Sequence, residues 1–345
     1  MRLEFNADIS QMNTFGMKAK AACLAEYYSV DELDALSRRD DLPQPLKSVG
    51  GGSNILLTGD FPGTILHSKI RFIEPYGDDE IVSARVGAGV PWDEFCEWCA
   101  KRDLWGPENL SMIPGDTGAA AVQNIGAYGT EIADIVATVE CYDLLSHKMV
   151  AFKNADCRYA YRDSFFKSEE GRHYVVTAVT FALKTGYSPI LEYGDIKDRI
   201  IKKCGTFVVY GNALTPDLVR RCIMDTRREK LPDTKETGNA GSFFRNPYVT
   251  REKFESLQRE NAPAAVPHYD MPDGSVKIPA AWLIDRCGWK GKYEGGAAVW
   301  EKQPLVLVNA SGNAPAEDIL ALEEKIKASV REKFGIELVP EVEHL

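Results

Sequence analysis

Ser242 lies in the stretch Gly238-Asn239-Ala240-Gly241-Ser242-Phe243-Phe244-Arg245-Asn246-Pro247, where small residues crowd one hydroxyl. Glycines permit positive φ and close approach of another molecule. The stretch is therefore suited to presenting Ser242 to a cleft while the Phe pair anchors in a core. A Gly-rich turn entering a short strand, with Ser242 incidental, accounts for the same residues. Arg162 stands among aromatics in Tyr159-Ala160-Tyr161-Arg162-Asp163-Ser164-Phe165-Phe166. A guanidinium in dry surroundings grips a carboxylate strongly; a surface pair with Asp163 is the alternative. Gly50-Gly51-Gly52-Ser53-Asn54 sits between strand patterns at 46–49 and 55–57. Bare N–H groups in such a turn form a nest for phosphate or pyrophosphate, and a plain β-turn explains it equally. The run is not G-x-G-x-x-G and opens no helix, so a Rossmann site is unsupported. Residues 108–129 are small and carry few charges. Such backbone can lie close against a flat or extended ligand; a packed loop between domains is the alternative.

Three units hold these pieces. Residues 1–70 read as a small α/β unit, with a compact turn at Asn13-Thr14-Phe15-Gly16 and a helical pattern over 30–39. The second unit begins at residue 71. It carries a strand over 81–86, and Pro91 opens a helix whose apolar face is Trp92, Phe95, Cys96 and Cys99. Strands follow at 137–145 and 148–152, joined by a Ser146-His147 turn, and at 174–184, with Tyr193-Gly194-Asp195 in a loop. The third unit begins near 215, where Thr215-Pro216-Asp217 starts a helix. That helix carries Arg220, Arg221, Arg227, Arg228 and Lys230. A solvated face explains most of these cations, and Lys230, nearest the serine stretch, is expected to turn inward.

At 345 residues, the chain has room for two or three domains. Its net charge of −10 argues against nucleic acid, which needs clustered Lys and Arg, but not against a small anion. The first ten residues, MRLEFNADIS, do not read as a signal peptide. No run of about 18 apolar residues is present to span a membrane. Eight scattered cysteines without an export signal fit reduced thiols in a cytoplasm. Cys96-x-x-Cys99 lacks a second pair or a nearby His, so a buried helix face is favoured over a metal or redox centre.

In order and spacing, the pieces resemble the UDP-N-acetylenolpyruvoylglucosamine reductase family almost end to end. The resemblance rests on NTFG (13–16), GGGSN (50–54), ENLSMIPGDTGAAAVQNIGAYG (108–129), YRDSFF (161–166), YGD (193–195), KLPD (230–233), NAGSFFRNP (239–247), GGAAV (295–299) and PEV (340–342). It implies an α+β, three-domain protein. Residues 1–70, completed by about 336–345, and residues 71–214 would form a FAD-binding fold of the p-cresol methylhydroxylase (PCMH) and vanillyl-alcohol-oxidase type. Residues 215–335 would form a C-terminal α/β substrate-binding domain. The YGD loop points to the type I branch, in which that tyrosine folds over the substrate.

The resemblance also implies roles by position. FAD, held non-covalently, would lie on Gly50, Gly51, Gly52, Ser53, Asn54, Asn109, Ser111, Ile113, Pro114, Gly115, Thr117, Gly118, Ala119, Asn124, Gly126, Ala127 and Tyr128. NADPH would reduce it, and the reduced flavin would pass hydride to the enolpyruvyl ether of UDP-N-acetylenolpyruvoylglucosamine. Arg162 and Glu341 would stabilise the resulting enol through its carboxylate, and Ser242 would donate the proton. Tyr161, Tyr193, Lys230, Asn246 and Gln303 would contact substrate. No metal, nucleic acid or membrane is implied, and the protein is expected to act as a cytoplasmic monomer. One departure is Glu343, where type I relatives usually carry Arg; it puts a flavin-side contact in doubt. The chain also ends at Leu345, which suggests that the last segment closes the first domain less completely. An oxidase of the same fold is one rival, although the five histidines (67, 147, 173, 268, 344) avoid the glycine loops that tether flavin in many oxidases. A non-catalytic nucleotide-sugar sensor is the other, although Arg162, Ser242 and Glu341 are all in place.

Overall fold

The computed structural model describes residues 1–77 and 80–345. The chain divides into two compact units. One comprises Met1–Ala7, Ala21–Gly51 and Phe61–Glu229; the other comprises Asp8–Lys20, Gly52–Asp60 and Lys230–Leu345.

The first unit holds two sheets. In one, Phe61–Ser68 lies between Lys20–Tyr27 and Leu46–Ser48 and pairs with both in parallel. The other is an antiparallel five-stranded sheet in the order Lys148–Lys153, Val136–Asp143, Tyr174–Lys184, Ile81–Gly87, Ile73–Gly77. Its central strand, Tyr174–Lys184, is almost wholly buried and reads as a nearly continuous apolar run. The helix Trp92–Ala100 packs its apolar face into this core, with Phe95 stacked on Phe181 at 4.7 Å and Trp92 tilted against Phe181 at 5.7 Å. Cys96 and Cys99 are 1% exposed, and burial pushes both thiols well above their ordinary range. Among the described residues, no cluster of His, Cys, Asp or Glu could hold a metal ion.

Three helices lie where no helical pattern was read. Thr117–Gln123 falls inside the small-residue run, for which no helix was expected. Its three consecutive alanines have the highest helix propensity, but they make no periodic stripe. Ile196–Cys204 and Thr206–Tyr210 follow the YGD loop. Ile196 and Ile200 alone are fully buried in the first, too sparse a pattern among lysines to stand out.

The second unit is built on an antiparallel sheet in the order Gly238–Ser242, Val306–Asn309, Ala297–Val299, Tyr293–Glu294. The helix Ala316–Phe334 packs on it. That helix has Glu317 and Asp318 in its first turn and Arg331 and Lys333 in its last, matching its dipole, and Gly335 closes it at φ 62°. The turn around Asp273-Gly274 joins Tyr269–Asp270 to Val276–Lys277 as an antiparallel pair. The carboxy-terminal pair Glu343–His344 runs parallel to Ile55–Leu56.

Candidate active site

The glycine loop packs backbone against backbone in the first unit. A Cβ on Gly51 would come 3.1 Å from Gly115 Cα, and one on Gly50 would come 2.9 Å from Ala119 Cβ. The helix Thr117–Gln123 starts beside this contact. Thr117 donates to Val90 O through both N (2.9 Å) and Oγ1 (2.8 Å), and Gly118 N donates to Ala88 O at 3.0 Å. A Cβ on Gly118 would meet Ala88 Cβ at 2.8 Å, so the small residues of one turn seat the other.

Several residues named from the sequence spend their side chains on the scaffold. Ser111 is fully buried and donates to Glu108 O at 2.7 Å. Asn124, also fully buried and left-handed at φ 46°, donates from Nδ2 to Glu131 Oε2 and Ala160 O, both at 2.8 Å. Asn109 donates to Tyr128 O (3.0 Å) and Ile190 O (2.9 Å), tying the small-residue run to the segment that leads to Tyr193. Tyr193 is 43% exposed and meets Tyr128 edge-on at 6.5 Å.

A second set of residues, without a sequence motif of its own, supports this run. Asp93 accepts from Met112 N at 2.5 Å and from Arg220 Nη2 at 2.9 Å, so it pins the small-residue run where Met112 takes φ 60°. Arg220 is 6% exposed, which corrects its reading as a solvated cation. Arg227, one heptad further on, is half-buried on the same face as Val219, Cys222, Ile223 and Thr226. Burial pushes its guanidinium pKa down, against the opposing pull of Tyr128 and Asp93. The i, i+7 spacing of two arginines beside buried apolar residues was the available signal. Lys230 is half-buried at the helix end, and its carbonyl accepts from Trp300 Nε1 at 3.1 Å.

The first unit fits a bound FAD. Its glycine and alanine turns leave no room for side chains between them. Asn109 Oδ1, Gln123 Nε2, Thr130 Oγ1 and Arg227 Nε are buried without a hydrogen-bond partner among the described residues. Buried polar atoms are normally satisfied, so these groups suit a polar, extended cofactor.

Arg162 is positioned by its turn. Ala160 and Asp163 exchange backbone hydrogen bonds (3.0 and 2.9 Å) around Tyr161 and Arg162, and Arg162 takes φ 54°. Its guanidinium lies 5.1 Å from the Tyr161 ring centroid and donates to Gly126 O. A Cβ on Gly126 would stand 2.7 Å from Arg162 Nη1. The shortest contact is with the end of a flexible side chain, with Glu131 Cγ at 3.0 Å and Thr130 O at 3.2 Å next, so Gly126→Ala is expected to displace Arg162 at a small cost in stability. Turnover should fall by about 10–100-fold, toward the loss from removing one electrostatic contact, while the protein stays folded at the assay temperature. Wild-type turnover in the variant would show that Arg162 does not need this seat.

Ser242 owes its position to a β-bulge. Asn239 pairs with Val308 and Ser242 with Val306, so one extra residue enters the serine strand. Gly241 takes it up at φ 70°, and its N–H donates to Asn239 Oδ1 at 3.0 Å. Bulges re-aim side chains beside functional sites, and here Ser242 is exposed while Phe243 and Phe244 are fully buried. The Asn13–Gly16 turn braces this strand: Thr14 Oγ1 donates to Asn239 O at 2.6 Å, and Phe15 packs edge-on to Phe243 at 6.2 Å. A Cβ on Gly238 would fall 2.1 Å from Phe15 O.

The next residues pair with the segment that carries Glu341. Glu341 N donates to Phe243 O at 2.8 Å, and Arg245 N donates to Val339 O at 2.9 Å. Ser242 and Glu341 thus flank adjoining rungs in the second unit. Gln303 and Asn246 stand nearby in the chain's hydrogen bonding. Gln303 O accepts from Val306 N at 3.0 Å, and Asn246 Oδ1 accepts from Ala280 N at 2.9 Å, at the start of the helix Ala280–Arg286. Arg162, Tyr161 and Tyr193 belong to the first unit; Lys230, Ser242, Asn246, Gln303 and Glu341 belong to the second.

Residues 233–345 match the family described as UDP-N-acetylenolpyruvoylglucosamine reductase, C-terminal domain, and residues 22–146 match an FAD binding domain. A UDP-N-acetylenolpyruvoylglucosamine reductase of Bacteroides fragilis is 49% identical over 332 residues, 96% of each chain. That of Neisseria gonorrhoeae is 41% identical over 338 residues, 97% of this chain and 95% of the other. The crystal structure of the Thermus caldophilus UDP-N-acetylenolpyruvylglucosamine reductase superposes with a TM-score of 0.68 at 22% identity, covering 100% of this chain and 99% of that one. That likeness speaks for the fold, and the expected α+β class with an FAD-binding domain is the one found. On full-length identity to its relatives, this chain belongs to the UDP-N-acetylenolpyruvoylglucosamine reductase family.

Proposed function

We propose that the protein reduces the enolpyruvyl group of UDP-N-acetylenolpyruvoylglucosamine with NADPH, giving UDP-N-acetylmuramate for peptidoglycan synthesis. The observation that carries this reading is the bulged strand that exposes Ser242 on the rung adjoining Glu341. Bound FAD supplies a hydride carrier between NADPH and the substrate. The chain's own residues do the rest. Arg162 grips the substrate carboxylate, and Glu341 hydrogen-bonds the enol that develops on it. Ser242 Oγ delivers the proton to the neighbouring carbon. A serine hydroxyl is a weak acid, so the leaving alkoxide needs a nearby cation, and Lys230 is assigned that help. Tyr161, Tyr193, Asn246 and Gln303 orient the nucleotide sugar. Residues 50–54 and the assigned positions within 109–128 hold the cofactor.

The domain division 1–70 with 336–345, 71–214 and 215–335 is part of the proposal, as is a monomer that binds neither nucleic acid nor membrane. A cytoplasmic location is supported by eight cysteines that are all unpaired. Among the described residues, no helix is long and apolar enough to cross a membrane. The direct test is NADPH consumption that depends on added UDP-N-acetylenolpyruvoylglucosamine, with a product heavier by two hydrogens. NADPH consumption tied only to oxygen uptake would favour the oxidase.

A further inference from the structure

The segment that carries Glu341 is held mainly by backbone. Asn54 Nδ2 donates to Glu341 O at 3.1 Å, Glu343 N to Asn54 O at 3.0 Å and Leu345 N to Leu56 O at 2.9 Å. The rung Phe244↔Pro340 includes a proline, which has no N–H to give. In such a paired run a slip of one residue would turn Glu341 to the opposite face. Side chains add to these backbone bonds in fixing the register. Val342 is buried at 3%. Another contact is made by His344, whose Nε2 stands 3.2 Å from Oε2 of Glu323 on the helix Ala316–Phe334.

Glu323 is 3% exposed, and its Oε2 has no hydrogen bond of regular geometry among the described residues. Lys327 Nζ lies 3.6 Å from the other oxygen, Oε1. His344, itself exposed, brings an imidazole nitrogen to this buried carboxylate from the carboxy-terminal strand. The same ring lies 6.2 Å from Phe243, the residue next to Ser242. One imidazole, on the strand that carries Glu341, therefore faces both Glu323 and Phe243, the residue that pairs with Glu341.

We infer that His344 is a positioning residue: its pairing with buried Glu323 and its packing on Phe243 hold residues 339–345 in the register that presents Glu341 beside Ser242. The inference rests on the proposed function for its catalytic consequence, but not for its structural one.

The test uses the full-length, FAD-loaded protein and compares His344→Leu with His344→Gln, which keeps a donor for Glu323. Amide hydrogen exchange over residues 339–345 should quicken in His344→Leu by about tenfold or more, as expected when a side-chain contact that holds the segment is lost. Reoxidation of the reduced flavin by the enolpyruvyl substrate should slow by about tenfold, while its reduction by NADPH stays within about twofold. His344→Gln should remain near wild type in all three. If His344→Leu does not fold, Glu323→Gln/His344→Leu removes the unpaired charge and should show the same fast exchange. Unchanged exchange, equal slowing of both half-reactions, or a Gln variant as impaired as Leu would each overturn the positioning role. A wild type that shows no substrate-dependent reoxidation would instead refute the reductase reading, and exchange alone would then judge His344.

Discussion

Ser242→Ala is expected to lower turnover by about 10²–10⁴-fold, the range for loss of a positioned general acid. The fold should be untouched. Ser242 is exposed, and the bulge that aims it is set by Gly241 and Asn239 rather than by the hydroxyl. Flavin reduction by NADPH should also persist, since that step needs no proton on substrate carbon. Stopped-flow absorbance separates the two half-reactions. The variant should bleach at the wild-type rate and regain colour slowly. Equal slowing of both steps, or reoxidation at the wild-type rate, would remove Ser242 from the proton-donor role.

Glu341→Gln carries the second large effect, a loss of about 10²–10³-fold in the same oxidative step, the magnitude for removing one group that stabilises developing charge. The substitution keeps size and hydrogen-bonding shape. The backbone bonds of residue 341 to Phe243 O and from Asn54 Nδ2 do not depend on the carboxylate. The melting temperature should therefore stay unchanged while turnover falls. A near-wild-type rate in Glu341→Gln would show that charge and acidity at this position are not used. The contrast with His344→Leu is informative, because that change should loosen the segment while leaving the carboxylate present.

Much of the scaffold was legible because its signals are local. The expected strand at 174–184 is the observed Tyr174–Lys184, and Thr215-Pro216-Asp217 does start the helix Pro216–Lys230. The helix Thr117–Gln123 was not legible, since glycine and alanine carry no hydrophobic period and its seat on Ala88 is a long-range contact. Burial of Arg220 was hidden for a similar reason. Asp93, far away in sequence, supplies the carboxylate that makes a dry guanidinium tolerable there. The candidate site divides along the same line. Ser242 and the glycine loops announced themselves by composition, whereas Glu341 came only through likeness to a family. Nothing in the residues around Arg162 reveals that Gly126 supplies its acceptor. His344 gave no sequence signal, because its partners Glu323 and Phe243 meet it only in the folded unit.

The central claim is a flavin that takes electrons from NADPH and gives them to an enolpyruvyl sugar. The most direct measurement is the visible absorbance of the purified protein under anaerobic conditions, recorded as NADPH and then UDP-N-acetylenolpyruvoylglucosamine are added. The expected result is a yellow protein that bleaches with NADPH and regains its colour with the sugar nucleotide. A yellow protein that recovers colour only when oxygen is admitted would contradict the reductase assignment, and a protein that stays colourless after reconstitution with FAD would contradict the flavin site itself.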